Sequence, residues 1–109
     1  MSYSVLTISP FDKQIKRLAK KYPSIKIEFA ELIENLEQEP EQGTAIGNNC
    51  FKIRIAIASK GKGKSGGARV IINVLVSEEI VYLLSIYDKS EKDNLTDKEL
   101  EELLKFVAY

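Results

Sequence analysis

The chain opens with a short apolar run, Tyr3 to Ile8, that predicts a first strand ended by Ser9-Pro10. Phe11, Ile15, Leu18, Ala19 and Tyr22 then recur at helical spacing, with basic residues on the other face, until Pro23 breaks the helix. Ser24 is placed to cap a second helix whose apolar stripe is Ile25, Phe29, Leu32, Ile33 and Leu36. The two helices, joined by one proline turn, read as a hairpin. Gly43 to Asn49 reads as a polar loop.

The period then changes to two. Phe51, Ile53, Ile55 and Ile57 alternate with Lys52, Arg54, Ala56 and Ala58, which predicts a strand over 51–58. Ser59 to Ala68 is a loop rich in glycine and lysine. A strand over 69–76 sets Val70, Ile72, Val74 and Val76 against Arg69, Ile71, Asn73 and Leu75. A tight turn at Ser77-Glu78-Glu79 leads to a strand over 80–87, in which Ile80, Tyr82, Leu84 and Ile86 oppose Val81, Leu83, Ser85 and Tyr87. Thr96 with Glu99 three residues on is a capping box, and Leu95 with Leu100 fits the accompanying staple. Leu100, Leu103, Leu104 and Val107 are the stripe of that last helix. The order is β-α-α-β-β-β-α: an α+β fold with a small, mainly antiparallel sheet, an N-terminal helical hairpin and a C-terminal helix.

The 109 residues suffice for one core, so a single domain over 1–109 is expected. No apolar run is long enough to span a bilayer and no leader is evident, and one cysteine closes no intrachain disulfide, so a reducing cytoplasm is expected. The absence of histidine excludes Ser-His-Asp and Cys-His catalysis and histidine-based zinc sites. The charges, 16 basic and 16 acidic, are segregated. Lys13, Lys16, Arg17, Lys20, Lys21 and Lys26 against Asp12 give residues 10–27 a charge of +5. Glu28, Glu31, Glu34, Glu37, Glu39 and Glu41 give 28–42 a charge of −6. Lys52, Arg54, Lys60, Lys62, Lys64 and Arg69 give 50–76 a charge of +6, and 77–109 carries −5. Salt screens distant charge within about 10 Å, so these local blocks matter more than their zero sum.

If the three later strands form a meander, Lys52, Arg54, Arg69, Asn73, Ser85 and Tyr87 can share one face, with the lysine loop at its edge. Several cations, a phenol and no carboxylate suit a phosphate backbone and a stacked base. Gly63-Lys64-Ser65 imitates the end of a Walker loop, but Ala58 stands where the first glycine is required and a strand follows instead of a helix, so that reading fails. Each feature also has a plain structural reading. The lysines suit a solvated hairpin tip, Lys52 and Arg54 a charged edge strand, Tyr87 a packing role, and Cys50 an inert buried position.

The runs Phe51-Lys52-Ile53-Arg54, Gly63-Lys64-Ser65-Gly66-Gly67-Ala68-Arg69-Val70-Ile71, Leu84-Ser85-Ile86-Tyr87-Asp88-Lys89-Ser90-Glu91-Lys92 and Asn94-Leu95-Thr96 resemble the RelE/ParE toxin superfamily, nearest its HigB-like branch. The resemblance spans about residues 5–107. It implies the RelE-like microbial RNase fold and a toxin of a type II toxin–antitoxin system. Such a toxin is a ribosome-dependent, metal-independent mRNA endoribonuclease that cuts in the ribosomal A site and needs no cofactor. The implied partners are the ribosome, mRNA and a cognate antitoxin, a small helix-turn-helix protein through which alone operator DNA is met. No membrane partner is implied.

By position, Lys52 and Arg54 match the basic pair of the family's second strand, Arg69 the arginine opening the third, and Lys89 a basic position after the fourth. Leu95 stands where RelE toxins proper carry a catalytic tyrosine, and Tyr87 is then the candidate for the stacking or base role. Attack by a 2′-hydroxyl needs a base, charge stabilisation at phosphorus and an acid for the leaving oxygen. The candidate catalytic residues are Arg69 as the clamp, Lys62 and Lys64 as proton carriers, Tyr87 and Lys89. Lys52, Arg54, Lys60, Asn73 and Lys92 are candidate RNA contacts. The general base and acid stay open. The competing readings are a ParE-like inhibitor of DNA gyrase, which the basic sheet face disfavours, and a non-catalytic RNA-binding regulator.

Overall fold

The structure, a computed structural model, describes residues 2–61, 63 and 66–107. Lys62 and Lys64, two of the expected catalytic residues, lie outside the described residues. Strand β1 (Ser4–Thr7) runs directly into helix α1 (Ser9–Lys21), where Pro10 occupies the first turn, a position that needs no amide hydrogen. The helix stops at Tyr22, held extended (φ −127°, ψ 95°) by the proline that follows it. Helix α2 (Ile25–Gln38) packs against α1 through Phe29 and Phe11, whose ring centroids lie 5.6 Å apart.

Ser24 does not act as the expected side-chain cap. It is itself helical (φ −70°, ψ −15°), and its Oγ accepts from the Ser59 N–H at 2.9 Å and lies 3.2 Å from Glu28 Oε1. Glu28 Oε2 in turn accepts from the Ala58 N–H at 2.6 Å. The start of α2 therefore holds a 3-10 turn, Ala58–Lys60, that enters the basic loop.

The expected polar loop at 43–49 contains a strand, β2 (Thr44–Gly47), that pairs antiparallel with β3 (Cys50–Ile55). Asn48 and Asn49 turn the chain with φ of 55° and 59°, values that asparagine adopts more readily than most residues. β3 ends at Ile55, three residues short of expectation. The remaining strands are β4 (Ala68–Leu75) and β5 (Ile80–Asp88), and the chain finishes in α3 (Asp97–Leu104). The sheet order is β1-β5-β4-β3-β2, antiparallel throughout except for the parallel pair β1 and β5. The sheet is thus mixed, and the element order gains a strand over the one expected. The meander of β3, β4 and β5 is present.

Strict alternation fails at one point. Ile71 pairs with Ser85 but Ile72 pairs with Leu83, which leaves Leu84 without a ladder partner. Tyr82 consequently shares a face with Ser85 and Tyr87, contrary to the uninterrupted alternation. All eight residues of β4 are buried, because α1 and α2 cover one face of the sheet and α3 lies over the other. α3 begins with the expected capping box: Glu99 N–H donates to Thr96 Oγ1 at 3.1 Å, and Thr96 N–H to Glu99 Oε1 at 2.9 Å.

The end of β5 is tied to the rest of the molecule by Asp88, whose side chain is fully buried. It accepts from the Tyr22 hydroxyl at 2.7 Å, from Ser90 N–H and Oγ at 3.0 and 2.8 Å, and from the Lys60 ammonium. Burial alone would raise this carboxyl. The hydrogen bonds from Lys60, Tyr22 and Ser90 together outweigh it and hold Asp88 well below the usual carboxylate range. Its folded pKa is therefore below the unfolded value near 3.8. The resulting stabilisation is complete above that unfolded value and disappears as pH falls through and below it. We expect Asp88→Asn to lower unfolding free energy at pH 7 by about 3 kcal/mol. Urea unfolding between pH 5 and 2 will show a shallower loss of stability for this variant than for the native chain.

Candidate nucleic-acid interface

The register brings Arg54, Arg69 and Tyr87 side by side across β3, β4 and β5, with Lys52, Ile71 and Ser85 in the next row of the same face. These three strands contribute no carboxylate to that face. Five of the six side chains expected to coincide therefore do so as a cluster. The sixth, Asn73, shares the face but lies at its far end, fully buried beside Cys50. Its Nδ2 donates to the Asn48 carbonyl at 3.0 Å and secures the β2–β3 turn, so it is not the surface residue expected.

Lys60 is also placed elsewhere than expected. Its ammonium is committed to Asp88 and its side chain is only 9% exposed, on the side of the sheet where Tyr22 at the end of α1 meets the same carboxylate. The reason is local: the 3-10 turn held by α2 directs it inward, where the buried carboxylate needs a cation. Lys89 Nζ donates to Asp93 Oδ1 at 2.6 Å and to the Asp93 carbonyl at 3.2 Å. Its backbone N–H donates to the Gly67 carbonyl at 3.0 Å, so the exit of the basic loop is fastened to the end of β5. Lys92 Nζ donates to Glu99 Oε2 at 2.7 Å. That ammonium, with the Thr96 N–H, holds Glu99 at about 2.

Among the strand cations, Arg54 is exposed and Lys52 half-buried, with its Nζ 3.5 Å from Asn94 Oδ1. Arg69 is 5% exposed, and its Nη1 donates to the Ala68 carbonyl at 3.2 Å. Tyr87 is equally buried. Burial pushes its phenol above the ordinary value against the opposing pull of Arg69 and Lys92, so at neutral pH it is a donor and not a phenolate. Cys50, too, is buried and its thiol is raised by burial, in keeping with an inert role.

Two contributors were not singled out from sequence. Asp88 is the one acid within the β3–β5 strands, a signal that was available. Gln14 is the single amide in α1. Its Oε1 accepts from the Ile86 N–H at 2.9 Å and Ser85 Oγ at 3.2 Å, serving the part of β5 that extends beyond β1. The Tyr87 hydroxyl is buried without a hydrogen-bond partner among the described residues. A buried hydroxyl of this kind carries a desolvation penalty of roughly 1–3 kcal/mol. Tyr87→Phe is accordingly expected to leave the unfolding free energy unchanged or slightly higher in urea titrations, whatever it does to activity.

Residues 11–109 match the family described as "RelE toxin of RelE / RelB toxin-antitoxin system". Among solved structures, a double arginine-to-alanine mutant of the Escherichia coli toxin RelE in the free state is similar with a TM-score of 0.66 and 15% identity, covering 99% of this chain and 100% of that one. The toxin–antitoxin complex RelBE2 from Mycobacterium tuberculosis is similar at a TM-score of 0.58 and 15% identity, over 81% of this chain and 99% of that one. The intact E. coli RelBE toxin–antitoxin complex follows at 0.51 and 18%, over 80% and 96%. These likenesses establish a common fold, and the family match extends over nearly the whole chain. The chain belongs to the RelE toxin family.

Proposed function

We propose that this chain is a ribosome-dependent mRNA endoribonuclease of the HigB-like branch, a cytoplasmic toxin held inactive by a cognate antitoxin. The observation that carries the proposal is the row Arg54, Arg69 and Tyr87 beside Lys52, on a sheet face to which the strands give no carboxylate. Such a face attracts a phosphodiester and supplies developing negative charge with fixed cations.

In the proposed reaction the RNA 2′-oxygen attacks phosphorus, the bond to the 5′-oxygen breaks, and a 2′,3′-cyclic phosphate and a 5′-hydroxyl result. Arg69 is the clamp, since a guanidinium donates to two phosphate oxygens together. Lys52 and Arg54 hold the flanking backbone. Tyr87 serves as a neutral donor or base platform. Lys62 and Lys64 are the proposed proton carriers, and Lys89 and Lys92 contribute field from the rim. The antitoxin, proposed as a small helix-turn-helix protein, would also mediate any contact with operator DNA.

Induced expression followed by primer extension tests this reading. Native protein should give cuts within translated codons that vanish when translation is blocked. Arg69→Ala and Arg69→Lys should each reduce cutting by about 10²-fold or more. Circular dichroism and co-purification with the antitoxin should be retained in both variants. DNA damage with intact mRNA would support gyrase inhibition instead, and RNA binding without cuts on translating ribosomes would support a non-catalytic regulator.

A further inference from the structure

A cleft of about 330 Å³ opens between α1, β5 and α3, adjoining the basic row at Tyr87. Its size falls in the range of small-ligand sites. Leu95, Leu103 and Phe106 give it apolar walls, and Phe106 is 53% exposed although aromatic. Gln14, Ser85 and Tyr87 supply polar groups from α1 and β5, and Lys92, Glu99 and Glu102 line the α3 side, with Lys92 and Glu99 paired to each other.

Two of those groups are unspent. The Tyr87 hydroxyl has no partner among the described residues. The Gln14 amide is fixed in orientation, because the Ile86 N–H can only donate and therefore must face the amide oxygen. Its Nε2 is left as a positioned donor with no acceptor among the described residues. A purely apolar occupant would cover the Gln14 amide without replacing its water and would leave the already buried Tyr87 hydroxyl unpaired. A planar ring with acceptors on its edge satisfies both the walls and the donors.

We propose that this cleft is a base-reading subsite, in which one unstacked nucleobase of the RNA packs against Phe106 and Leu103 and accepts a hydrogen bond from Gln14 Nε2. The inference rests on the RNA-cleaving reading above and deepens it. Tyr87 belongs to both places: it lines the cleft and stands directly opposite Arg69 in the sheet register. Cross-strand neighbours have Cβ atoms roughly 5 Å apart. A phosphate on Arg69 and a base in the cleft are thus compatible with a single nucleotide or its immediate neighbour. Unstacked bases read along their edges are the usual route to sequence preference on single-stranded RNA.

The test has two parts. First, ¹⁵N-labelled native protein is titrated with each of the four nucleoside 5′-monophosphates. Saturable shifts of the Gln14 side-chain amide are expected with at least one of them, and no shift with any of the four overturns the subsite. Second, Gln14→Glu keeps an oxygen for Ile86 and Ser85 but removes the donor. We expect the preferred monophosphate to bind it about tenfold more weakly. We also expect the base preference at one position beside the mRNA cut to change. Cuts with an unaltered base preference overturn the subsite while leaving the nuclease reading intact. Gln14 shifts in a native protein that never cuts mRNA would keep the subsite and remove the nuclease reading.

Discussion

A carboxylate without solvent must be surrounded by donors, and the arrangement of this fold follows from how Asp88 meets that requirement. Tyr22 reaches it from the end of α1, Lys60 from the 3-10 turn and Ser90 from the turn after β5. Three segments distant in sequence are thereby brought to one atom group. The consequence for the interface is geometric. With Lys60 anchored at one end and the Lys89 amide bonded to Gly67 at the other, both ends of the basic loop are tied to the same strand. Arg69 follows immediately, so its place on the sheet is set from the opposite face.

The segregated charges acquire a second meaning in three dimensions. Arg17 and Lys21 of the first basic block bind Glu91 of the last acidic one, at 2.9 and 3.3 Å. Glu28, from the acidic block, receives the Ala58 amide, where the third block turns. Part of the apparent binding charge is therefore internal, and the surface pairs among these contribute little stability individually. Among the described residues, Lys52, Arg54 and Arg69 are the bases of 50–76 that stand on the α3-covered side.

Much of this was legible in the chain. Period-two runs disclosed the meander and which face held Lys52, Arg54, Arg69 and Tyr87, because burial on one side enforces parity. The capping box disclosed α3. Other features had no local signal. A single unpaired residue, Leu84, changes parity within β5 without altering its composition, so the position of Tyr82 was unreadable. Asn73 sat correctly in the alternation, yet its depth depends on the β2 edge strand, which Thr44–Gly47 does not announce by hydrophobicity. Lys60 looked like its neighbours in the loop, and only the carboxylate 28 residues later distinguishes it. Ser24 had the right residue type for a cap, but Ser59, distant in sequence, takes its hydroxyl. Gln14 was invisible for a similar reason: its partner is a backbone amide on a strand edge.

The parallel pairing of β1 with β5 has a bearing on synthesis. Residues 4–7 must wait for residues 80–83 before they have a strand partner, and β5 is also the strand that seats α1 and supplies Asp88. Contacts so far apart in sequence form slowly and only after the intervening chain exists. The complete sheet therefore cannot assemble before β5 has left the ribosome. The chain is a toxin by family, and its topology ties completion of the sheet to a strand made more than seventy residues after its partner.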